Sequence, residues 1–392
     1  MPANIAHMLI AHKTLNKLRE KSKEIPELQN YINIFDDDSD RTKLYKSYYN
    51  LGSLGPDLFY YSRRATGIKD LMFDVNSSAK GVEPWSYHLH SVEPNKFPLK
   101  MIEILFRDAV KDSSGKYILE NQDRCKLAFI AGYLTHIAAD QIIHPIVDSI
   151  AGPYYRSGKN REKHRNCEAF QDYFLYLKVY DLEGKPEEQR YDFFEQKFNT
   201  WCDCIKGMTT QNAEDWFRYF LQRAFAETYN IFPDEDIIED SVDNLLMVLR
   251  LCDNVGPYKK AAKEYLKYGE KSENYINFIE KVDYLKYYRI AVELSVVYLL
   301  ELYNIAAMLQ KNLYFPDDEK ARSHFLQIVN NADLTCPLNK DILTNSILFL
   351  KNFENTNVFK NASEKISVFD KINLFSENDI FAMQPDDAIV RC

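Results

Sequence analysis

Two triplets of metal-type side chains, His136-x3-Asp140-x3-His144 and His164-x3-Glu168-x3-Asp172, constrain this chain more than any other feature. With 3.6 residues per turn, a four-residue step drifts only about 40° around a helix, so each triplet lies along one helix face. The residues around the first triplet are apolar: Phe129, Ile130, Leu134, Ile137, Ile142 and Ile143. Carboxylates and imidazoles on so apolar a helix need a partner. Two such faces turned towards each other build a cation site between helices, from the nitrogen and oxygen ligands that Zn²⁺ takes when no thiolates are offered. A structural ion-pair network is the other way to satisfy them. It would need Lys or Arg facing both stripes, whereas Arg156, Lys159, Arg161, Lys163 and Arg165 read as part of a basic loop.

The rest of the chain supports an all-α fold, a multi-helix bundle with the metal site between helices. Only 12 of 392 residues are Gly, and long stretches carry a 3.6-residue apolar period. Helices are expected from about Asn4, a candidate N-cap, to Lys21, and from Phe97 to Val110. Another should run from Arg124 to Ile150, stopped by Gly152-Pro153, and a fourth from Cys167 to Val179. Further helices are expected at Glu214–Tyr229, Asp236–Asn254 and Tyr275–Asn312. Residues Val75–Pro98 read as loop-rich, Gly52–Asp57 as a tight non-helical path, and the basic stretch before Cys167 as a loop. Beyond Pro316-Asp317-Asp318 the pattern weakens, giving a helical domain over 1–315 and a C-terminal appendage over 316–392.

Net charge is −9, which argues against a non-specific nucleic-acid binder. Seven scattered cysteines, with Cys202-x-Cys204 lacking metal or redox spacing, read as reduced and structural. Cys167 precedes Glu168 by one residue, about 100° off the ligand face, and reads as core. No charged segment followed by an apolar run opens the chain, so a cytoplasmic protein is expected. Ile290–Leu309 is the most apolar segment, but Glu293 and Glu301 within it indicate a buried helix and not a membrane span.

The run Gly132-Tyr133-Leu134-Thr135-His136-Ile137-Ala138-Ala139-Asp140-Gln141-Ile142-Ile143-His144 resembles the core of the zinc-dependent phospholipase C family. Its spacing is most similar to the branch containing glycosylphosphatidylinositol-specific phospholipase D; single-strand-specific zinc nucleases are more distant relatives. His164-x3-Glu168-x3-Asp172 matches the family's second stripe, and Ala6–His12 its opening helix. Gly55-Pro56-Asp57 resembles the loop with an aspartate ligand, and His90-Ser91-Val92-Glu93-Pro94 the loop with a histidine ligand. The resemblance covers roughly residues 2–180.

The resemblance implies about three Zn²⁺ ions. One would be held by Asp57, His90, His136 and bridging Asp140; a second by Asp140, His7 and the chain's own N-terminus; a third by His144, His164 and Glu168. Family members use the amino group of the mature first residue, which here implies removal of Met1 and ligation through Pro2. Asp172 would stand behind the ligands or orient a ligand imidazole. His12 lies about 140° around the helix from His7 and is expected to pack elsewhere. His88 and His90 would share a side in an extended loop, and the following Ser-x-Glu-Pro favours His90, with His88 behind it.

A cluster of this kind activates water and holds the oxygens of a phosphodiester, with no nucleophilic side chain needed. Asp57 is then the candidate to orient or deprotonate the attacking water. The expected substrate is a phospholipid, met at a membrane surface only transiently, with nucleic acid as the less favoured diester. Leu58 stands where phosphocholine-hydrolysing relatives carry an aromatic residue, followed here by Phe59, Tyr60 and Tyr61. The alternatives are a single-strand nuclease of the same superfamily and a non-catalytic, metal-stabilised helical binding module. Structural zinc sites are thiolate-rich, and di-iron bundles use Glu-x2-His pairs; neither pattern is present.

Overall fold

A computed structural model describes residues 4–23, 26–35, 40–61, 84–179, 214–234, 237–245, 283–310 and 319–329, with positions 185, 186 and 189 besides. In chain order these form α1 (Asn4–Ser22), α2 (Pro26–Ile32) and α3 (Asp40–Ser53), then a 3₁₀ turn (Pro56–Tyr61). Next come α4 (Pro84–Ser91) and α5 (Lys96–Asp108), followed by a two-stranded ribbon of β1 (Val110–Lys111) and β2 (Tyr117–Ile118). After α6 (Asn121–Ala151), a 3₁₀ turn (Tyr154–Arg156) leads into α7 (Gly158–Val179). Then follow α8 (Glu214–Tyr229), a helical stretch over 237–245, α9 (Tyr284–Gln310) and α10 (Glu319–Ile328). The ribbon is antiparallel, with Val110 opposite Ile118. The fold is all-α.

Helix α6 is the axis of the bundle. Its 31 residues span about 46 Å at 1.5 Å per residue, and nearly every side chain from Cys125 to Val147 is buried. A helix apolar all round is a core helix. A reciprocal capping box starts it, in which Glu120 and Asp123 each satisfy the other's backbone donor. Gly152, at φ 80°, ends it in a conformation closed to most L residues. Pro145 sits inside α6 without ending it.

Two glycines let α3 cross α6 with the backbones touching. A Cβ on Gly132 would lie 2.0 Å from the Tyr49 carbonyl oxygen, and one on Gly52 would lie 2.1 Å from the Phe129 carbonyl oxygen. The close crossing brings the end of α3, and with it Ser53, against the second half of α6. On another side α9 packs along α6 and α1. There the Tyr298 hydroxyl donates to Gln141 Oε1 at 2.6 Å, next to Asp140 in sequence. Helix α9 is long and apolar enough over Tyr284–Ala307 to cross a membrane, yet its most apolar window is entirely buried. Phe325, Ile328 and Val329 belong to the same core cluster, so α10 packs with the helical body.

Four local expectations need correction. The path Gly52–Asp57 is helical at both ends: Gly52 and Ser53 close α3, and Pro56 and Asp57 open the 3₁₀ turn. The stretch Val75–Pro98 is not all loop: residues 84–91 are helical, with Pro84 in the first turn, where its missing N–H is harmless. The basic stretch is not a loop either. Helix α7 begins at Gly158, because the Ser157 hydroxyl accepts the Asn160 amide at 3.1 Å and caps it. Asn4 does not cap α1; its Nδ2 reaches the Tyr61 hydroxyl at 3.4 Å, and its Oδ1 accepts no hydrogen bond among the described residues. The expected helical segments 246–254 and 275–282, and residues 330–392 of the appendage, lie outside the described residues.

Candidate metal centre

Five elements meet around Asp140. Helix α6 supplies His136, Asp140 and His144 from one face, as the four-residue spacing requires. Helix α7 supplies His164 and Glu168, α1 supplies His7, α4 supplies His90, and the 3₁₀ turn after α3 supplies Asp57. All are buried except His144, whose side chain is 12% exposed.

Asp140 is the hub. Its Oδ1 lies 3.4 Å from His7 Nε2 and 3.3 Å from His144 Nε2. Its Oδ2 lies 3.1 Å from His136 Nε2 and 3.6 Å from His90 Nε2. His90 Nε2 is also 3.2 Å from Asp57 Oδ1. At the other end Glu168 Oε1 stands 3.1 Å from His164 Nε2 and 3.6 Å from His144 Nε2. Three groups follow in which every ligand atom lies within 4.8 Å of the others: His7, His136 and Asp140; Asp57, His90 and His136; His144, His164 and Glu168. His136 belongs to two of them, stacked on His7 with ring centroids 4.0 Å apart. The first two groups form an inner end of the cluster, the third an outer end.

Three of the five imidazoles are held by their far nitrogens. His136 Nδ1 donates to the Ser53 carbonyl at 2.9 Å, and His90 Nδ1 to the Ser86 carbonyl at 2.7 Å. His164 Nδ1 is 3.2 Å from Asp148 Oδ1. In neutral rings these bonds fix the proton on Nδ1 and turn each Nε2 lone pair towards a carboxylate. Lone pairs facing carboxylate oxygens need a cation or a proton between them. Among the described residues His90 Nε2, His136 Nε2 and Asp140 Oδ2 have no hydrogen bond at all. The donor set, all nitrogen and carboxylate oxygen, fits Zn²⁺.

The electrostatics differ along the cluster. Burial and the neighbouring His136 hold His7 down at about 4. Burial opposes charge on His136, yet the Asp140 and Asp57 carboxylates raise its pKa. His144 is raised well above its usual value by Asp140 and Glu168 against the same burial, and His164 to about 9 by Glu168 and Asp148. Burial alone would lift Asp140 and Glu168, but the surrounding imidazoles hold both well below the ordinary carboxylate range.

The structure therefore brings together seven of the expected histidine and carboxylate positions plus Asp57; Pro2 lies outside the described residues. His88 is not behind the site. On helix α4 it points about 200° away from His90, and its ring packs 5.4 Å from Tyr229. His12 packs elsewhere, 2.9 Å from Asn50 Oδ1. Cys167 is core, its thiol pushed up to about 12 by burial. Asp172 orients no imidazole; it accepts the backbone amides of Ala6 at 2.8 Å and Ile5 at 3.4 Å. That orienting role falls to Asp148, which extends the first stripe by one more four-residue step. The same periodicity that located His136, Asp140 and His144 points to it.

An all-α bundle enclosing a His/carboxylate cluster of this kind defines a metal-dependent protein class. Residues 6–219, more than half of the chain, match the family described as zinc dependent phospholipase C. The chain belongs to that family. No curated protein and no solved structure matches it.

Proposed function

We propose that the protein hydrolyses a phosphodiester, most favourably in a phospholipid, with about three Zn²⁺ held by the cluster. The observation behind this reading is the convergence of eight buried or nearly buried imidazoles and carboxylates into three contiguous groups around Asp140. Asp57, His90, His136 and Asp140 would hold one ion. His7, His136 and Asp140 would hold a second; His144, His164 and Glu168 would hold a third. Bound there, zinc supplies Lewis acidity towards the phosphoryl oxygens and acidifies water.

The chain's own residues do the rest. Asp140 sets the spacing between the ends, because each of its oxygens faces a different pair of imidazoles. Asp57, one side of which faces His90, orients the attacking water and accepts its proton. Tyr60, half-buried, lies 5.6 Å from His90, and Tyr154 lies 4.9 Å from His164. These two rings, 6.0 Å apart, form an aromatic wall beside the cluster. Leu58 is fully buried and offers no headgroup contact, so Tyr60 takes the place of the aromatic expected directly after the aspartate.

Turnover of phosphatidylcholine, phosphatidylinositol-type lipids and single-stranded DNA, with wild type and Asp57→Asn, tests this reading. Lipid hydrolysis lost in Asp57→Asn is the expected result. Hydrolysis of DNA alone would replace the lipid assignment by the nuclease one. Zinc-loaded protein inert to every diester would leave a metal-stabilised binding module.

A further inference from the structure

Among the described residues, no side chain of α1 caps the start of that helix. Asn4 does not serve, and no acidic residue stands in the first turn to meet the positive end of the helix dipole. Two first-turn amides instead donate to a carboxylate on α7: Ala6 N–H to Asp172 Oδ1 at 2.8 Å, and Ile5 N–H to Oδ2 at 3.4 Å. Asp172 is 7% exposed. It continues the stripe that carries His164 and Glu168, so one face of α7 offers two ligand-type side chains and a cap for another helix.

His7 follows the capped amides directly, and it differs from its neighbours in how it is held. His90, His136 and His164 each have Nδ1 tied to a carbonyl or carboxylate. His7 Nδ1 has no hydrogen bond among the described residues. The ring is placed by its stack on His136 and by the helix that carries it. The depth of α1 therefore decides where His7 Nε2 stands relative to Asp140.

We propose that Asp172 is a positioning residue that docks the start of α1 onto α7 and thereby makes cation binding at His7 conditional on that contact. The proposal rests on the metal-binding reading above. It assigns Asp172 no contact with substrate or metal.

The test uses the full chain and two readouts. In chelator-stripped protein, amide hydrogen exchange at Ile5 and Ala6 should quicken by about tenfold in Asp172→Ala and less in Asp172→Asn, whose amide oxygen still accepts one bond. In zinc-reconstituted protein, Asp172→Ala should lose about one ion relative to wild type, and adding His7→Ala should remove no more. If Asp172→Ala does not fold, Asp172→Asn carries the test, with zinc affinity at the His7 position weakened on the order of tenfold. Unchanged exchange in both variants, or additive zinc losses for Asp172 and His7, would overturn the proposal. Wild type that binds no zinc would refute the metal reading alone, because the exchange experiment still reports the docking contact.

Discussion

At the inner end of the cluster, His90 and His136 are steadied by backbone carbonyls, Ser86 O from within α4 and Ser53 O from the end of α3. At the outer end, His164 is steadied by the Asp148 side chain, which shares a helix with His144. Among the described residues, the inner end thus draws on α1, the 3₁₀ turn after α3, α4 and α6, while the outer end uses α6 and α7. A carbonyl can be moved only by moving its backbone; a carboxylate can be deleted. The inner end should therefore respond to changes in helix packing, and the outer end to single side chains.

The packing half of that contrast is the easiest to break. Gly132→Ala forces a Cβ to within 2.0 Å of the Tyr49 carbonyl oxygen, so α3 must shift and carry Ser53 away from His136. The expected loss is about 3 kcal/mol of stability in urea denaturation, with inner-end zinc lost before outer-end zinc. Gly158→Ala is the control, since its Cβ would meet nothing nearer than Arg161 Nη2 at 3.9 Å. Equal stability for the two variants would show that the close crossing does not govern the inner end.

Asp140→Ala should come next, because its oxygens face both ends. Elemental analysis should find more than one zinc missing, whereas His144→Ala should lose one. A loss of a single ion from Asp140→Ala would mean the ends are filled independently.

Asp148→Asn should weaken only outer-end zinc, by roughly 10- to 100-fold, and leave the inner end loaded. Chelator competition followed ion by ion separates the two ends. Weakening at the inner end would contradict the division.

The smallest effect concerns pH. With His164 raised to about 9 and His144 also raised, the outer imidazoles are protonated near pH 7 and must release protons to a metal. His7, lowered to about 4, is already neutral there. Zinc affinity of the outer end should thus rise with pH from 7 towards 9 as His164 gives up its proton, a slope to which His7 at the inner end adds nothing. Titrations on His7→Ala and His144→Ala in weak buffer, with proton release recorded, measure the two slopes.

Periodicity was a good guide where ligands share a helix and a poor one where they do not. His136, Asp140, His144, His164 and Glu168 stand together because a four-residue step leaves them on one face. His88 and His90 could not be separated that way, since the answer depended on whether 84–91 is extended or helical. Asp148 obeyed the same spacing but lay beyond the triplet and past Pro145, a residue that ordinarily ends a helix. The partners of Asp172 had no sequence signal, because amides of α1 and a carboxylate of α7 meet only through docking.

The sequence by itself determined the all-α class, the chemistry of the donors and the two ligand-bearing faces, because helix geometry and ligand preference act over a few residues. Only the tertiary structure decided which nitrogen of each imidazole faces inward, that Asp140 serves both ends, and that Asp172 caps α1. Those outcomes depend on where one helix's backbone lies against another's. Here that is set by a glycine-to-glycine crossing and by long-range hydrogen bonds that no local spacing encodes.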